Sequence, residues 1–437
     1  MKKYNYLGIT ILFVATFLVF LSPFALAEDE SPSGSERLKS ERIDSERFEM
    51  ALEVYGTFHI RQFDYFKNAL DMNPRQRRNI DLERVAFEPT FKFGREWKIE
   101  TEVEIEHGGV GTSMELDGFE EFGEFETELE QGGEVKLDKL EIEWEPSDDF
   151  AFKTGLITVP VGMISQKHKP TEYFSVTRNR SEARILPSTW RSVGLGMSGK
   201  IEVGSDTQVL HQTVLVQGLN SEFFRKYNWV QDGAGRKFET TYADNLALAT
   251  RWDFTNQDRT SAFGLSIYYG DSSQNRQKVD KLTVDANVLI WDLHGFWESP
   301  TWTVRALYLR GYLQNSEEVS TQNATLGGAA NPGSFAALGK EAELYFLEVG
   351  YNVGNIVNRF DLFARFDSFD PMKDVAGNIN RDPRFRETSW TTGLAYKPRP
   401  ELVAKLQYSQ IRSGLDALPT AHEIMAGIGF AFSSVAK

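Results

Sequence analysis

The stretch Lys98-Ile99-Glu100-Thr101-Glu102-Val103-Glu104-Ile105-Glu106 puts a carboxylate at every second residue, with apolar or β-branched side chains between. Leu140-Glu141-Ile142-Glu143-Trp144-Glu145 repeats the pattern forty residues later. A period of two is that of an extended strand whose two faces meet different surroundings. Charges this regular point into water, and the intervening residues face something apolar. The same alternation recurs as Val85, Phe87, Phe91 and Phe93 against Arg84, Glu88 and Lys92, with Pro89 a defect on the apolar side. It recurs again as Phe360, Leu362, Ala364 and Phe366 against Asp361, Arg365 and Asp367, and as Leu402, Ala404, Leu406 and Tyr408 against Lys405, Gln407 and Ser409.

Extended along the chain, the pattern predicts about sixteen strands. They lie near 51–65, 79–93, 97–106, 135–145, 150–159, 192–203, 207–217 and 242–254, then 261–270, 282–297, 301–313, 342–352, 358–369, 387–397, 401–411 and 422–432. Connectors alternate in length. Those near Gly94, Pro146 to Asp149, Gly204, Ser299 to Pro300 and Lys397 to Pro400 are brief. Those around Gly108 to Gly133, Pro160 to Arg191, Gly218 to Thr240 and Gln314 to Lys340 are long. Alternating tight turns and long loops are the mark of an antiparallel barrel crossing a bilayer, with the short connectors in the periplasm. The fold class read from this is all-β: a transmembrane antiparallel β-barrel. A soluble barrel would put its apolar residues inside, but about sixteen strands enclose a lumen too wide for side chains to fill.

The composition fits. The chain is 41% hydrophobic over 437 residues, and its 32 Phe, 15 Tyr and 9 Trp supply girdles for two membrane interfaces. Its mean hydropathy of -0.39 excludes a helical membrane bundle. A net charge of -15 argues against nucleic acid as a partner, and the absence of cysteine removes disulfides, thiolate metal sites and lipid-anchored cysteine.

At the N-terminus, Lys2 and Lys3, an apolar run from Ile9 to Leu21 and Ala25-Leu26-Ala27 read as a secretory signal cleaved after Ala27. The domain reading is therefore signal peptide 1–27, polar periplasmic tail 28–50 and barrel 51–437. The tail repeats Ser-Glu-Arg at 35, 40 and 45, but its apolar members Leu38, Ile43 and Phe48 form no helical stripe. Localisation follows as the outer membrane, with lipid and the barrel-assembly machinery as partners.

The connector Pro160 to Arg191 reverses the sign of an acidic chain. It holds Lys167, His168, Lys169, Arg178, Arg180, Arg184 and Arg191 against Glu172 and Glu182. Folded into the lumen, these residues would narrow the pore and favour a partly dehydrated anion. Lying over the mouth, they would pair with acids or lipid phosphates instead. Predicted lumen-facing residues on the strands are Arg84, Glu88, Lys92, Arg251, Arg305, Arg365 and Lys405.

The runs Gly155-Leu156-Ile157-Thr158-Val159-Pro160-Val161-Gly162, Val193-Gly194-Leu195-Gly196-Met197-Ser198-Gly199 and Phe363-Ala364-Arg365-Phe366-Asp367, with the basic loop between the first two, resemble the phosphate-selective porin O and P family of Gram-negative outer membranes. The resemblance implies a 16-stranded barrel, a homotrimer, a third loop forming the constriction, and basic residues guiding anions. This chain continues from Phe432 through Ser433 to Lys437, where such barrels stop on an aromatic residue. It also intersperses its lumen arginines with Glu102, Glu141, Asp253, Asp361 and Asp367, and carries an acidic connector from Glu115 to Glu130.

Other signals carry less. Gly194, Gly196 and Gly199 match G-x-G-x-x-G inside a strand with no helix after it, which is not a dinucleotide site. His107-Gly108-Gly109 near Ser113 lacks the nucleophile elbow of a hydrolase. The six histidines are scattered, without metal-ligand spacing, and read as mostly interfacial or loop residues. No enzyme activity, cofactor or metal is expected. The expected function is passive passage of small hydrophilic solutes, anion-preferring through the basic loop. The alternatives are a cation-preferring pore driven by the lumen glutamates, and a structural or adhesive protein tying the membrane to the cell wall.

Overall fold

The computed structural model describes residues 48–66, 73–109, 133–234, 242–276, 281–324, 326, 333–354 and 360–436, with two short strands at 115–117 and 126–128. The secretory signal, the Ser-Glu-Arg segment and most of the acidic connector lie outside the described residues.

Sixteen strands hydrogen-bond in chain order into one closed antiparallel barrel. They are β1 (Phe48–Tyr65), β2 (Arg75–Phe93), β3 (Trp97–Glu106), β6 (Glu134–Ser147), β7 (Phe150–Thr158), β8 (Arg191–Val203), β9 (Thr207–Gln217) and β10 (Leu246–Asn256). The second half comprises β11 (Ser261–Asp271), β12 (Asn287–Glu298), β13 (Trp302–Leu313), β14 (Glu341–Asn352), β15 (Phe360–Asp374), β16 (Glu387–Arg399), β17 (Leu402–Ser413) and β18 (Ala421–Ala436). A separate hairpin of β4 (Glu115–Asp117) and β5 (Glu126–Glu128) sits within the second long connector. Helices α1 (Arg180–Ile185) and α2 (Ser316–Asn323) lie in connectors that alternation could not resolve.

Every strand read from the sequence is present, and 97–106 and 207–217 coincide to the residue. The ends differ where pairing overrides local pattern. Residues 48–50, assigned to the tail, are strand, because Phe48 to Met50 pair with Phe91 to Phe93. β18 runs past Phe432, and Met50 opposite Ala436 closes the barrel. β15 continues to Asp374 because Lys340 and Glu341 meet it there.

The faces follow the predicted phase. Leu195, Leu248, Phe263, Leu347, Trp390 and Ile428 on the outside are each about half exposed, as a lipid belt requires. Glu102 and Glu104 are buried on the inside. Glu100 stands opposite Glu141 across β3 and β6, a like-charge pair that neighbouring lysines offset. Lys98 Nζ lies 3.2 Å from Glu100 and 2.6 Å from Glu143, and Lys136 Nζ lies 3.2 Å from Glu104 and 2.9 Å from Glu106. Pro89 is tolerated because β2 and β3 leave residues 88–89 unpaired, from Phe87–Val103 to Thr90–Glu100, without a change of register.

The lumen departs from the expectation of a polar interior. In the halves of β9 to β14 next to the long connectors its inward residues are apolar: Val214, Val216, Ala249, Ile290, Leu309 and Leu344 are buried. They are covered by connectors folded inward, which contribute Val161, Ile185, Trp190, Leu219, Trp229 and Leu338 to the same cluster. A wide lumen is thus filled on one side by loops rather than by its own side chains. Gly311 makes room, since a Cβ there would lie 2.1 Å from the Trp229 ring. His59 and His294 face the lumen and are buried, two exceptions to the reading of most histidines as interfacial or loop residues.

Leu347 lies at mid-height of β14 facing outward. Leu347→Lys should lower the free energy of unfolding by about 2–4 kcal/mol, as for a lipid-facing cation at mid-bilayer. Urea titration of the barrel refolded in liposomes measures this, and an unchanged midpoint would mean that this face does not meet lipid.

Candidate functional site

The connector between β7 and β8, residues 159–190, is the third long loop, and it folds into the lumen instead of lying over the mouth. Its first leg is pinned to the wall at Gly162. The Gly162 N–H donates to Asp292 Oδ2 at 3.0 Å, and Arg251 Nη1 donates to the Gly162 carbonyl at 2.6 Å. Glu182 Oε1 then accepts from the N–H groups of Met163 and Ile164 at 2.6 and 2.7 Å. By Lys167 the loop has descended to the periplasmic end, where its Nζ meets Glu298 at 3.0 Å beside the short turn after β12.

At the turn of the loop, Phe174 stacks on Phe363 with ring centroids 5.9 Å apart and lies under the Arg305 guanidinium at 5.2 Å. Gly350 permits this approach, since a Cβ there would lie 2.3 Å from the Phe174 ring. The return leg forms α1, where Arg180 grips Glu387 with two hydrogen bonds of 2.5 and 3.1 Å.

Three cavities share lining residues in sequence. An outer one of about 480 Å³ is lined by Arg61, Arg178, Arg180 and Arg184 among others, and an inner one of about 370 Å³ by Glu172, Glu298, Asp361 and Lys397. A space of about 40 Å³ shares Arg178 and Arg365 with the outer cavity and Lys167, Tyr173 and Arg305 with the inner one. By its shared lining it lies between the two and is termed the neck, with room for on the order of three water molecules.

The charged residues lining the neck are Lys167, Arg178, Arg305 and Arg365 against Glu182 and Glu348. Glu348 is shared between Arg305 and Arg365 at 3.4 Å each. Arg178 donates to Ser188 Oγ at 3.0 Å, and its nearest carboxylate, Glu104, is 3.9 Å away. The Nε atoms of Arg178 and Arg305 are buried without a hydrogen-bond partner. Burial pushes the Glu182 carboxyl up from 4.5 to about 7, against the two backbone N–H groups that favour its charged form.

The seven residues expected at a constriction separate into groups. Lys167 and Arg178 line the neck, and Arg178, Arg180 and Arg184 line the outer cavity. Lys169 is held between Glu53 at 2.7 Å and Glu88 at 3.2 Å. His168 packs edge-on against Tyr55, and burial, with cations around it, holds its imidazole well below the usual range. Arg191 is a correction: it is buried between Glu102 at 3.2 Å and Asp138 at 3.4 Å and lines none of the three cavities.

The strand residues Arg84, Glu88, Lys92, Arg251, Arg305, Arg365 and Lys405 all occupy inward positions. Arg84, Arg251 and Lys405 bond the third loop and lie beneath it. Alternation alone does not point to Glu182, Glu348, Tyr173 or Phe174 as lining residues. Glu348 carried a partial signal, an acid at the inward phase of Leu344 and Phe346. The other three belong to a loop whose path periodicity cannot give.

No protein-family model matches the chain. A relative, an uncharacterized protein of Aquifex aeolicus (strain VF5), is 21% identical over 339 residues, covering 75% of this chain and 70% of its own. The anion-selective porin from Comamonas acidovorans aligns over 88% of this chain and all of its own, with 10% identity and a TM-score of 0.50. The outer membrane channel DcaP of Acinetobacter baumannii aligns over 93% of this chain with 8% identity and a TM-score of 0.49. At such identity the likeness to the Comamonas protein is one of fold. The chain is a closed 16-stranded outer-membrane β-barrel with a porin fold.

The raised value of Glu182 means that the folded barrel favours its protonated form. Its contribution to stability is complete below about pH 4.5 and is lost as pH rises through about 7. Glu182→Gln should flatten that decline, read as the thermal midpoint between pH 4.5 and 8 beside the parent protein; parallel profiles would contradict it.

Proposed function

We propose that the barrel is a passive diffusion channel for small hydrophilic solutes that prefers anions. The observation carrying this is the neck, where four cationic side chains face two carboxylates and two arginine Nε–H groups are unpartnered. A solute passing so small a space sheds part of its hydration shell, and fixed donors on the wall replace it best for an anion. The protonatable Glu182 weakens the negative contribution further. Ion pairs tie Lys169, Arg180 and Arg191 to the wall outside the neck, and within it Lys167, Arg305 and Arg365 also hold carboxylates, so the preference rests first on Arg178, whose nearest carboxylate is 3.9 Å away, rather than on the whole basic loop.

The fold shared with an anion-selective porin and the resemblance to phosphate-selective porins support the same sign and make phosphate-like anions the first solutes to test. The reading includes export by a signal cleaved after Ala27, a polar tail before the barrel, and assembly as a homotrimer.

Planar-bilayer recording of the refolded protein under a KCl gradient tests the proposal. The parent protein should show discrete open steps and an anion-selective reversal potential. Arg178→Gln, Arg305→Gln and Arg365→Gln combined should move the reversal potential toward the cation side. An unmoved potential would overturn the role of the neck, and a folded barrel without conductance would overturn the channel.

A further inference from the structure

We infer that Lys405 and Gln407, neighbouring inward residues of β17, are a strap that sets the width of the neck. The inference rests on the channel reading above. Lys405 Nζ donates to the carbonyls of Tyr173 and Ser175 at 2.7 and 2.8 Å and lies 3.8 Å from the centroid of the Tyr173 ring. Gln407 Oε1 accepts from the Val176 N–H at 2.7 Å. Arg365 adds a bond from Nη1 to Ser175 Oγ at 2.7 Å. Three of the four loop residues 173–176 are thereby held by one side of the wall, and Tyr173 and Ser175 line the neck itself.

Lys405 differs from most of the other inward lysines. Lys98, Lys136, Lys139, Lys153, Lys167 and Lys169 each have a carboxylate within 4 Å. Among the described residues Lys405 is buried with no such partner, and its hydrogen bonds go to main-chain oxygen. A lysine placed for charge pairing would sit opposite an acid. This one spends its N–H groups on the backbone of another element, a bond that survives whether the amine carries two protons or three.

The opposite end of the same loop is fixed at Gly162 by Arg251 of β10 and Asp292 of β12. These strands lie five to seven places from β17 around the barrel. The loop is therefore stretched between two walls, and its bore depends on both attachments. Lys405 and Gln407 are positioning residues: they act on solute through Tyr173 and Ser175.

The test uses the absence of cysteine from the chain. Val176→Cys, buried under the strap, is built alone and with Lys405→Met or Lys405→Arg, each protein refolded to the full barrel. Reaction with a charged, membrane-impermeant thiol reagent is timed, and single-channel conductance is recorded without the cysteine. Lys405→Met should raise the thiol rate by an order of magnitude or more, enlarge the conductance severalfold and bring anion and cation permeabilities together. Lys405→Arg, which keeps the donors, should stay near the parent.

Parental thiol rate and conductance in Lys405→Met would overturn the strap. Should Lys405→Met not refold, Gln407→Met, which removes the acceptor of the Val176 N–H, carries the same two expectations and the same refutation. If no variant conducts, the channel reading fails, while the thiol rates still decide for or against the strap.

Discussion

The constraint on which everything else depends is that a strand in hydrocarbon cannot leave its N–H and C=O groups unpaired. The chain meets it by bringing its two ends together. β1 and β18 pair from Met50–Ala436 to Phe63–Glu423, and no open edge remains. Closure fixes sixteen strands in one cycle, and with them the alternation of every residue between lipid and lumen. A shift of one residue in any ladder would exchange the two faces, placing Glu102 and Glu104 in the bilayer. The lysines of β3 and β6 then make the acidic inner face tolerable.

A cycle of that size creates a second problem, since its interior is wider than its side chains can reach across. The chain resolves it unevenly. At the ends of β9 to β14 next to the long connectors, inward-folded loops bury an apolar surface that would otherwise face water, and this part behaves as the core of a soluble protein. Along β15 to β18 and β1 to β3 the interior stays polar and bears the outer cavity. The third loop belongs to both halves. Its residues 159–164 lie in the apolar filling, and its residues 173–180 face the polar side. The neck is the seam between them.

Strand number, phase and most boundaries to within two residues were legible in the sequence, because each strand separates lipid from lumen residue by residue and a period of two records that directly. Arg305 and Arg365 could be assigned to the lumen for the same reason. The path of the third loop was not legible. Whether a basic connector lies over a barrel or plunges into it depends on partners far away in sequence, such as Glu53, Glu298, Glu387 and Gln407. Net basicity therefore overstated the free charge. Arg191 looked like a pore cation only because Glu102 and Asp138, which neutralise it, lie far from it in the chain.

The scattered origin of those partners has a consequence for the birth of the pore. Contacts between residues distant in sequence form late, after the chain between them has been ordered. The third loop draws its anchors from β1, β2, β10, β12, β15, β16 and β17, which are in place together only once the last strand has met the first. The throat is therefore fully anchored only when the wall is complete.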